Sequence, residues 1–340
     1  MRHQTISYCP GDLSPVQNGT YSRAFRKEMF EGAKVNHILD YSSPGNYLSE
    51  VEDITLAMGL SISGVQIKFS VKQDGKKLIK TSSKGEFILK PIPTGVVRAE
   101  EVPANEHLTM QLARQVYGIE TAVNGLVFYG DGEPAYITRR FDRRPDGAKF
   151  RQEDFAQLIE RTEQTHGLNY KYDFSYEDAG RLMWKFIPAW MPQLERFYCL
   201  VLFNYLFSNG DAHLKNFSLT ETVDGDYILS PAYDLLCSRI HSPQESDMAS
   251  TGGLFIDHET PSFEANGFYA YDDFHEFGLR LGLIPKRVER FLSFFQQHHP
   301  KVDQLIKRSY LSKPVKEEYR TYFKDRLKRL NYSFAGKQSG

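Results

Sequence analysis

The sequence predicts an α+β protein built as two lobes, β-rich first and mainly helical second. Three observations carry that prediction. The chain has 340 residues, more than one hydrophobic core usually serves. Between residues 65 and 138, short apolar runs alternate with Gly, Ser and Asp turns, which is hairpin patterning. From Glu153 onward the apolar residues recur at helical spacing. The expected division is residues 1–142 for the first lobe, 143–335 for the second, and 336–340 as a flexible tail.

Composition narrows the class. The chain is 41% hydrophobic and 14% aromatic, enough for a large core. A formal net charge of −1 gives no whole-chain attraction to nucleic acid. Cys9, Cys199 and Cys237 are far apart and form neither a disulfide framework nor a zinc motif, so a reducing compartment is expected. The N-terminal MRHQTISYCPGD has no signal-peptide core. The most apolar run, residues 198–207, falls short of the ~20 residues a membrane span needs. A cytoplasmic protein without membrane contact is the expectation.

Residues 1–50 are turn-rich around a short helix near Tyr21–Gly32 and read as a packing segment. The stretch Gly59-Leu60-Ser61-Ile62-Ser63-Gly64 leads into the alternating run Val65, Ile67, Phe69, Val71. Small residues before a strand let backbone N–H groups approach a phosphate, though an ordinary hairpin turn has the same composition. Glu86-Phe87-Ile88-Leu89-Lys90 places a lysine at the end of an apolar strand, as in kinases that pair such a lysine with ATP phosphates. A helix follows from Pro103 to Gly118. Its Glu106 either pairs with Lys90 or serves the helix dipole from the first turn. Residues 125–129 and 134–138 are two strands about Gly130-Asp131-Gly132, and 139–147 links the lobes. Four arginines in that link alternate with carboxylates, so ion pairing is expected rather than nucleic-acid binding.

In the second lobe, helices are expected over 154–161, over 176–191 with a disturbance at Pro188, and over 193–207. The last is apolar on every face and therefore buried. Residues 241–250 form a polar loop. Residues 285–300 and 302–331 are helical, the final helix exposing Arg320, Lys324, Arg326, Lys328 and Arg329.

The chemistry concentrates in Asn204–Asp234. Asp211 is followed by Asn216 and, beyond a hairpin, by Asp234. Kinase catalytic loops use that arrangement: one aspartate takes the substrate hydroxyl proton, and an asparagine and a second aspartate hold Mg²⁺ on ATP. Asn216 is expected to begin a strand whose hairpin returns to Asp234. Lys215 is a candidate to steady the transferring phosphate.

Asn209-Gly210-Asp211-Ala212-His213-Leu214-Lys215-Asn216-Phe217-Ser218 resembles the D-x-H-x-K-N-F block of the HipA family of bacterial toxin kinases. Leu229-Ser230-Pro231-Ala232-Tyr233-Asp234, Ser61-Ile62-Ser63-Gly64-Val65-Gln66-Ile67-Lys68 and Arg140-Phe141-Asp142-Arg143 reinforce the match in family order. The resemblance implies a bilobal protein-kinase-like fold and a serine/threonine protein kinase using ATP and Mg²⁺. Asp211 would be the catalytic base, with Asn216 and Asp234 on the metal. Ser63, Gly64, Val65, Gln66, Ile67, Lys68 and Lys90 would hold ATP phosphates. Arg139, Arg140 and Phe141 would form the hinge at the adenine, and His213, Leu214, Lys215 and Tyr233 would line the nucleotide site.

By the same implication the substrate is an aminoacyl-tRNA synthetase, and an antitoxin of HipB type restrains the kinase and alone contacts DNA. Autophosphorylation of Ser61 or Ser63 would switch the enzyme off. Little more than sixty residues precede the loop, as in the short HipT members, whose missing subdomain is a separate small HipS-like protein. Asp234 is followed by Leu235-Leu236 rather than Phe-Gly, so activation-segment switching is not carried over. Two other readings stand beside this one. An aminoglycoside-type phosphotransferase would use the acidic residues Glu245, Asp247, Asp257, Glu259, Asp272 and Asp273 for a cationic substrate. A catalytically inactive scaffold would only bridge an antitoxin to DNA.

Overall fold

The computed structural model describes residues 6–16, 20–44, 67–144 and 147–334. Ser61, Ser63, Gly64, Val65 and Gln66 lie outside the described residues.

Five short runs, β1 (Phe69–Asp74), β2 (Lys77–Lys80), β3 (Phe87–Lys90), β4 (Asn124–Phe128) and β5 (Pro134–Arg139), pair antiparallel in the order β2-β1-β3-β5-β4. Alternation decides which side each residue faces. Val71, Phe87, Leu89, Val127, Ala135 and Ile137 join a core closed by Tyr21, Phe25, Met29 and Phe30. Those four belong to the helix Arg23–Phe30 and its approach, so the N-terminal segment packs on the sheet. Tyr21 fixes it further by donating its hydroxyl to the Leu126 carbonyl at 2.7 Å.

The helix Val102–Gln115 packs against β4 and β5. Every residue from Val102 to Ala113 is buried, because the helix lies between the sheet and the helical lobe. It ends as its sequence requires, at Gly118 with φ +65°.

The second lobe is built on two helices, Tyr176–Phe186 and Trp190–Leu206; Pro188 ends the first rather than disturbing it, so Trp190 and Met191 belong to the second. Leu194, Phe197, Tyr198 and Leu200–Leu206 are buried, as the all-apolar surface predicts. A small antiparallel sheet, β6 (Gln152–Asp154), β7 (Ser218–Glu221) and β8 (Tyr227–Leu229), lies beside them. Helices Pro261–Asn266, Tyr271–Arg280, Pro285–Phe295, Pro300–Arg308 and Lys313–Leu330 complete the lobe. The two-lobed α+β arrangement expected from the sequence is therefore present. No helix among the described residues is long and apolar enough to cross a membrane.

Four local expectations need correction. The helix expected over 154–161 is one turn, Phe155–Leu158, capped by Asp154 and ended by Glu160 in the left-handed region. The run 302–331 is two helices, because Ser309 is extended and Pro314 starts a new first turn. Asn216 lies in a 3₁₀ turn, Leu214–Asn216, and the strand begins at Ser218. Arg326 does not belong to the exposed basic face. It is 1% exposed, pairs with Asp247 at 2.7 Å and donates to the Ser208 hydroxyl at 3.3 Å.

Candidate active site

Lys90 ends β3, a strand with neighbours on both sides, and its partner across β5 is Tyr136. The pairing puts the ammonium under the sheet, 5.1 Å from the centre of the Tyr136 ring. There it meets two carboxylates from distant parts of the chain. It donates to Glu106 at 2.6 Å and also to Asp234. Burial alone would lower the lysine pKa, but Asp234 and Glu106 reverse the shift and hold it charged. Burial works against the Asp234 charge too, yet Lys90 and then Lys68 pull it far below the carboxylate range. The Lys68 ammonium lies 3.9 Å from Asp234. Two carboxylates face one buried ammonium, so the more buried one gives way. Burial pushes Glu106 up to about 7 against the pull of Lys90. Glu106 sits in the second helical turn and is 3% exposed, so a role for the first-turn dipole does not describe it.

Asp234 has φ +54°, a left-handed conformation that costs a non-glycine residue roughly 1–3 kcal/mol. The bond from Ala122 N–H to the Ala232 carbonyl (2.9 Å) and that from Ala232 N–H to the Glu120 carbonyl (2.8 Å) fix the segment leading to it. The strained turn then directs the carboxylate at Lys90.

The loop carrying Asp211 is held from several sides. Asn209 bonds back to Asn204 through backbone (2.8 Å) and side chain (2.9 Å). Gly210 donates its N–H to the Ser238 hydroxyl at 2.7 Å. A Cβ on Gly210 would lie 2.8 Å from the Ser246 carbonyl oxygen, so only glycine allows this approach. Tyr176 donates its hydroxyl to the Ala212 carbonyl at 2.8 Å. Asp211 itself is 6% exposed and accepts from the Tyr172 hydroxyl at 2.8 Å on Oδ1. Burial pushes its pKa up to about 6, while the Tyr172 bond and the Lys171 ammonium limit the rise.

His213 is buried with its ring edge-on to Tyr172, centroids 5.3 Å apart. Burial and then Lys171 push its pKa down to about 3, so the ring is neutral near pH 7. Leu214 is buried and Asn216 half-buried. Phe141 and Tyr233 stack with centroids 5.9 Å apart, joining the interlobe link to the Asp234 segment. Tyr233 donates its hydroxyl to the Lys215 carbonyl at 3.0 Å. Beside that stack is a hollow of about 340 Å³ lined by Asp142, Phe150, Gln152, Lys215 and Tyr233, among others. A larger hollow of about 600 Å³ lies behind Leu229–Ala232 and is lined by none of the candidate residues.

Three candidate side chains are engaged elsewhere. Arg139 pairs with Glu31 at 2.6 Å, and Arg140 pairs with Asp142. Lys215 pairs with Asp154 at 2.6 Å. The structure adds residues that local sequence patterns do not single out: Tyr172 and Lys171 beside Asp211, Asp154 on Lys215, and Ser238 under Gly210. Each comes from a segment far along the chain, and no spacing rule links it to the loop.

The donors fit a hard cation. Asp234 and Asn216 offer oxygen atoms, and no trio of His, Cys, Asp or Glu able to enclose a metal occurs among the described residues. Mg²⁺ binds through few protein oxygens when phosphates complete its shell.

Comparisons with known proteins place the chain in a family. A protein of Haemophilus influenzae named "Putative kinase" is 28% identical over 289 residues, covering 80% of this chain and 82% of that protein. "Putative kinase Y4dM" of Sinorhizobium fredii is 34% identical over 217 residues, 58% of this chain and 49% of that one. Among solved structures, the Shewanella oneidensis MR-1 toxin–antitoxin complex of HipA, HipB and operator DNA matches with TM-score 0.62 and 23% identity. That match covers 85% of this chain and 71% of that one, and it shows a shared fold. The sequence profile of the HipA-like C-terminal domain matches residues 60–302. The chain belongs to the HipA-like C-terminal domain family.

Proposed function

We propose that this protein is an ATP- and Mg²⁺-dependent protein serine/threonine kinase that acts as the toxin of a toxin–antitoxin pair. The observation that supports it best is the convergence on one centre of Lys90, Glu106 and Asp234, with Asp211 close enough to feel the Asp234 charge. Phosphoryl transfer needs placed charges more than covalent chemistry. Lys90 and Lys68 would hold ATP phosphates, and Asn216 and Asp234 would hold Mg²⁺, which when bound neutralises phosphate charge. Asp211, ionised above about pH 6, would take the proton of a serine or threonine hydroxyl. Phe141 and Tyr233 flank the region where adenine would sit, while the side chains of Arg139 and Arg140 serve ion pairs. We assign the lobe boundary to the link near residue 142.

Family membership supports an aminoacyl-tRNA synthetase as the substrate and a HipB-type antitoxin as the partner through which DNA is reached. Phosphate on Ser61 or Ser63 would place roughly −1.5 to −2 of charge where ATP phosphates must bind. That would inhibit the enzyme. Intact-mass measurement after expression should show added phosphate, and Ser61→Ala/Ser63→Ala should remove it. Unmodified protein from an active enzyme would count against this switch.

The small-molecule reading loses three of its six carboxylates. Glu245 is half-buried and accepts from the Ser238 hydroxyl, Asp247 neutralises Arg326 and Arg329, and Asp273 is buried among Thr260, Ser262 and Ala270 N–H. These three hold the fold and do not gather around a cationic substrate. Incubation of a cell extract with γ-labelled ATP separates the readings: a labelled protein band supports the protein kinase, and label confined to small molecules contradicts it.

A further inference from the structure

We propose that Lys171, and not Lys215, supplies the cation facing the transferring phosphoryl group beside Asp211. The inference rests on the kinase reading and adds a catalytic residue to it. Lys171 is 9% exposed, and among the described residues its ammonium has no carboxylate within ion-pairing distance. Desolvated ammonium groups are costly unless an anion answers them.

Two contacts tie Lys171 to the reacting end of the site. Its carbonyl accepts the Leu214 N–H at 3.1 Å, joining its backbone to the loop after Asp211. Its ammonium lies 5.0 Å from the centre of the Tyr172 ring, whose hydroxyl donates to Asp211. The charged groups it faces are Asp211 and, with opposite effect, Lys215. His213 is neutral there. Lys215, the more obvious candidate from the sequence, is engaged by Asp154 at 2.6 Å.

The step assigns each atom. The substrate hydroxyl oxygen bonds to the γ-phosphorus while that phosphorus loses its bond to the bridging oxygen of ATP. The bridging oxygen departs with the electron pair on ADP. The hydroxyl proton goes to Oδ2 of Asp211, because Tyr172 already donates to Oδ1. Negative charge on the planar phosphoryl oxygens is strongest at mid-transfer, when a fixed ammonium helps most.

Calorimetry with Mg-ADP, alone and with aluminium fluoride as the planar phosphoryl mimic, tests this without turnover. In wild type, fluoride should tighten nucleotide binding. Lys171→Met should keep Mg-ADP affinity within about threefold but lose at least about tenfold of the fluoride-dependent tightening. Lys171→Arg should restore most of it, and Lys215→Met should keep the fluoride-dependent tightening. Equal tightening in Lys171→Met and wild type would overturn the assignment while leaving the kinase reading intact. Equal loss of both affinities would mark a structural lysine and overturn it as well. Wild-type protein that binds no Mg-ADP would overturn both.

Discussion

Asp211 is the residue at which fold and chemistry pull in opposite directions. Burial raises its pKa to about 6, so its charge at pH 7 opposes folding. For a carboxyl whose folded pKa lies above its unfolded value, the stabilising balance is fully present below the unfolded value and lost as pH rises through about 6. Asp211→Asn should therefore raise the melting temperature at pH 8, by an amount corresponding to roughly 1–3 kcal/mol, and leave it little changed at pH 4. Thermal unfolding of both proteins at the two pH values checks this. Catalysis has the reverse dependence. In the base role proposed for it Asp211 must be ionised, so kcat/KM for phosphoryl transfer should fall tenfold per unit of pH below about 6. A pH–rate profile flat between 5 and 7 would remove Asp211 from the base role. Some of this was readable beforehand. Asp211 and Asn216 share one loop, and Lys90 ends a strand whose alternation is plain in the sequence. Tyr172 is 39 residues from the aspartate it holds, and Asp154 is 61 from Lys215. Such contacts follow from chain packing, which no local pattern encodes.

Among the elements, the buried helix Trp190–Leu206 fixes where the loop begins, and Lys313–Leu330 supports the loop from behind. Arg326 of that last helix reaches Ser208, just ahead of Asp211, and joins it to Asp247. Helical spacing placed Arg326 with its basic neighbours, because a long polar side chain gives no sign in sequence of a half-buried carboxylate waiting for it. Arg326→Met should destabilise the protein by roughly 3 kcal/mol, since Asp247 would keep only the more exposed Arg329 and the distant Arg239. Chemical denaturation measures the loss. A change under about 0.5 kcal/mol, the usual range for surface substitutions, would show that the pair does not stabilise the loop. The break between the last two helices was open to a closer reading, as Pro314 in the first turn is a helix-start signal.

At the scale of the whole molecule, the two lobes meet through charge and stacking: Lys90 with Asp234, and Phe141 with Tyr233. The α+β lobes were legible because all five strands of the larger sheet fall between Phe69 and Arg139, while most helices fall after residue 175. The N-terminal packing segment was less so, because its contacts run to β4 rather than to its neighbours. Nucleotide should stabilise the native state by mass action, about 2.7 kcal/mol at a concentration of 100 Kd. Thermal shift with Mg-ATP should show it, and Lys90→Met should abolish it. A shift retained in full by that variant would move the phosphate site elsewhere.

The central claim is that Asp211 drives phosphate transfer from ATP to a protein hydroxyl. Transfer of γ-labelled phosphate to protein by wild type and by Asp211→Asn, matched for folded fraction, tests it most directly. The account predicts labelled serine or threonine with wild type and at least about a hundredfold less with the variant. Equal labelling by the two proteins would contradict it.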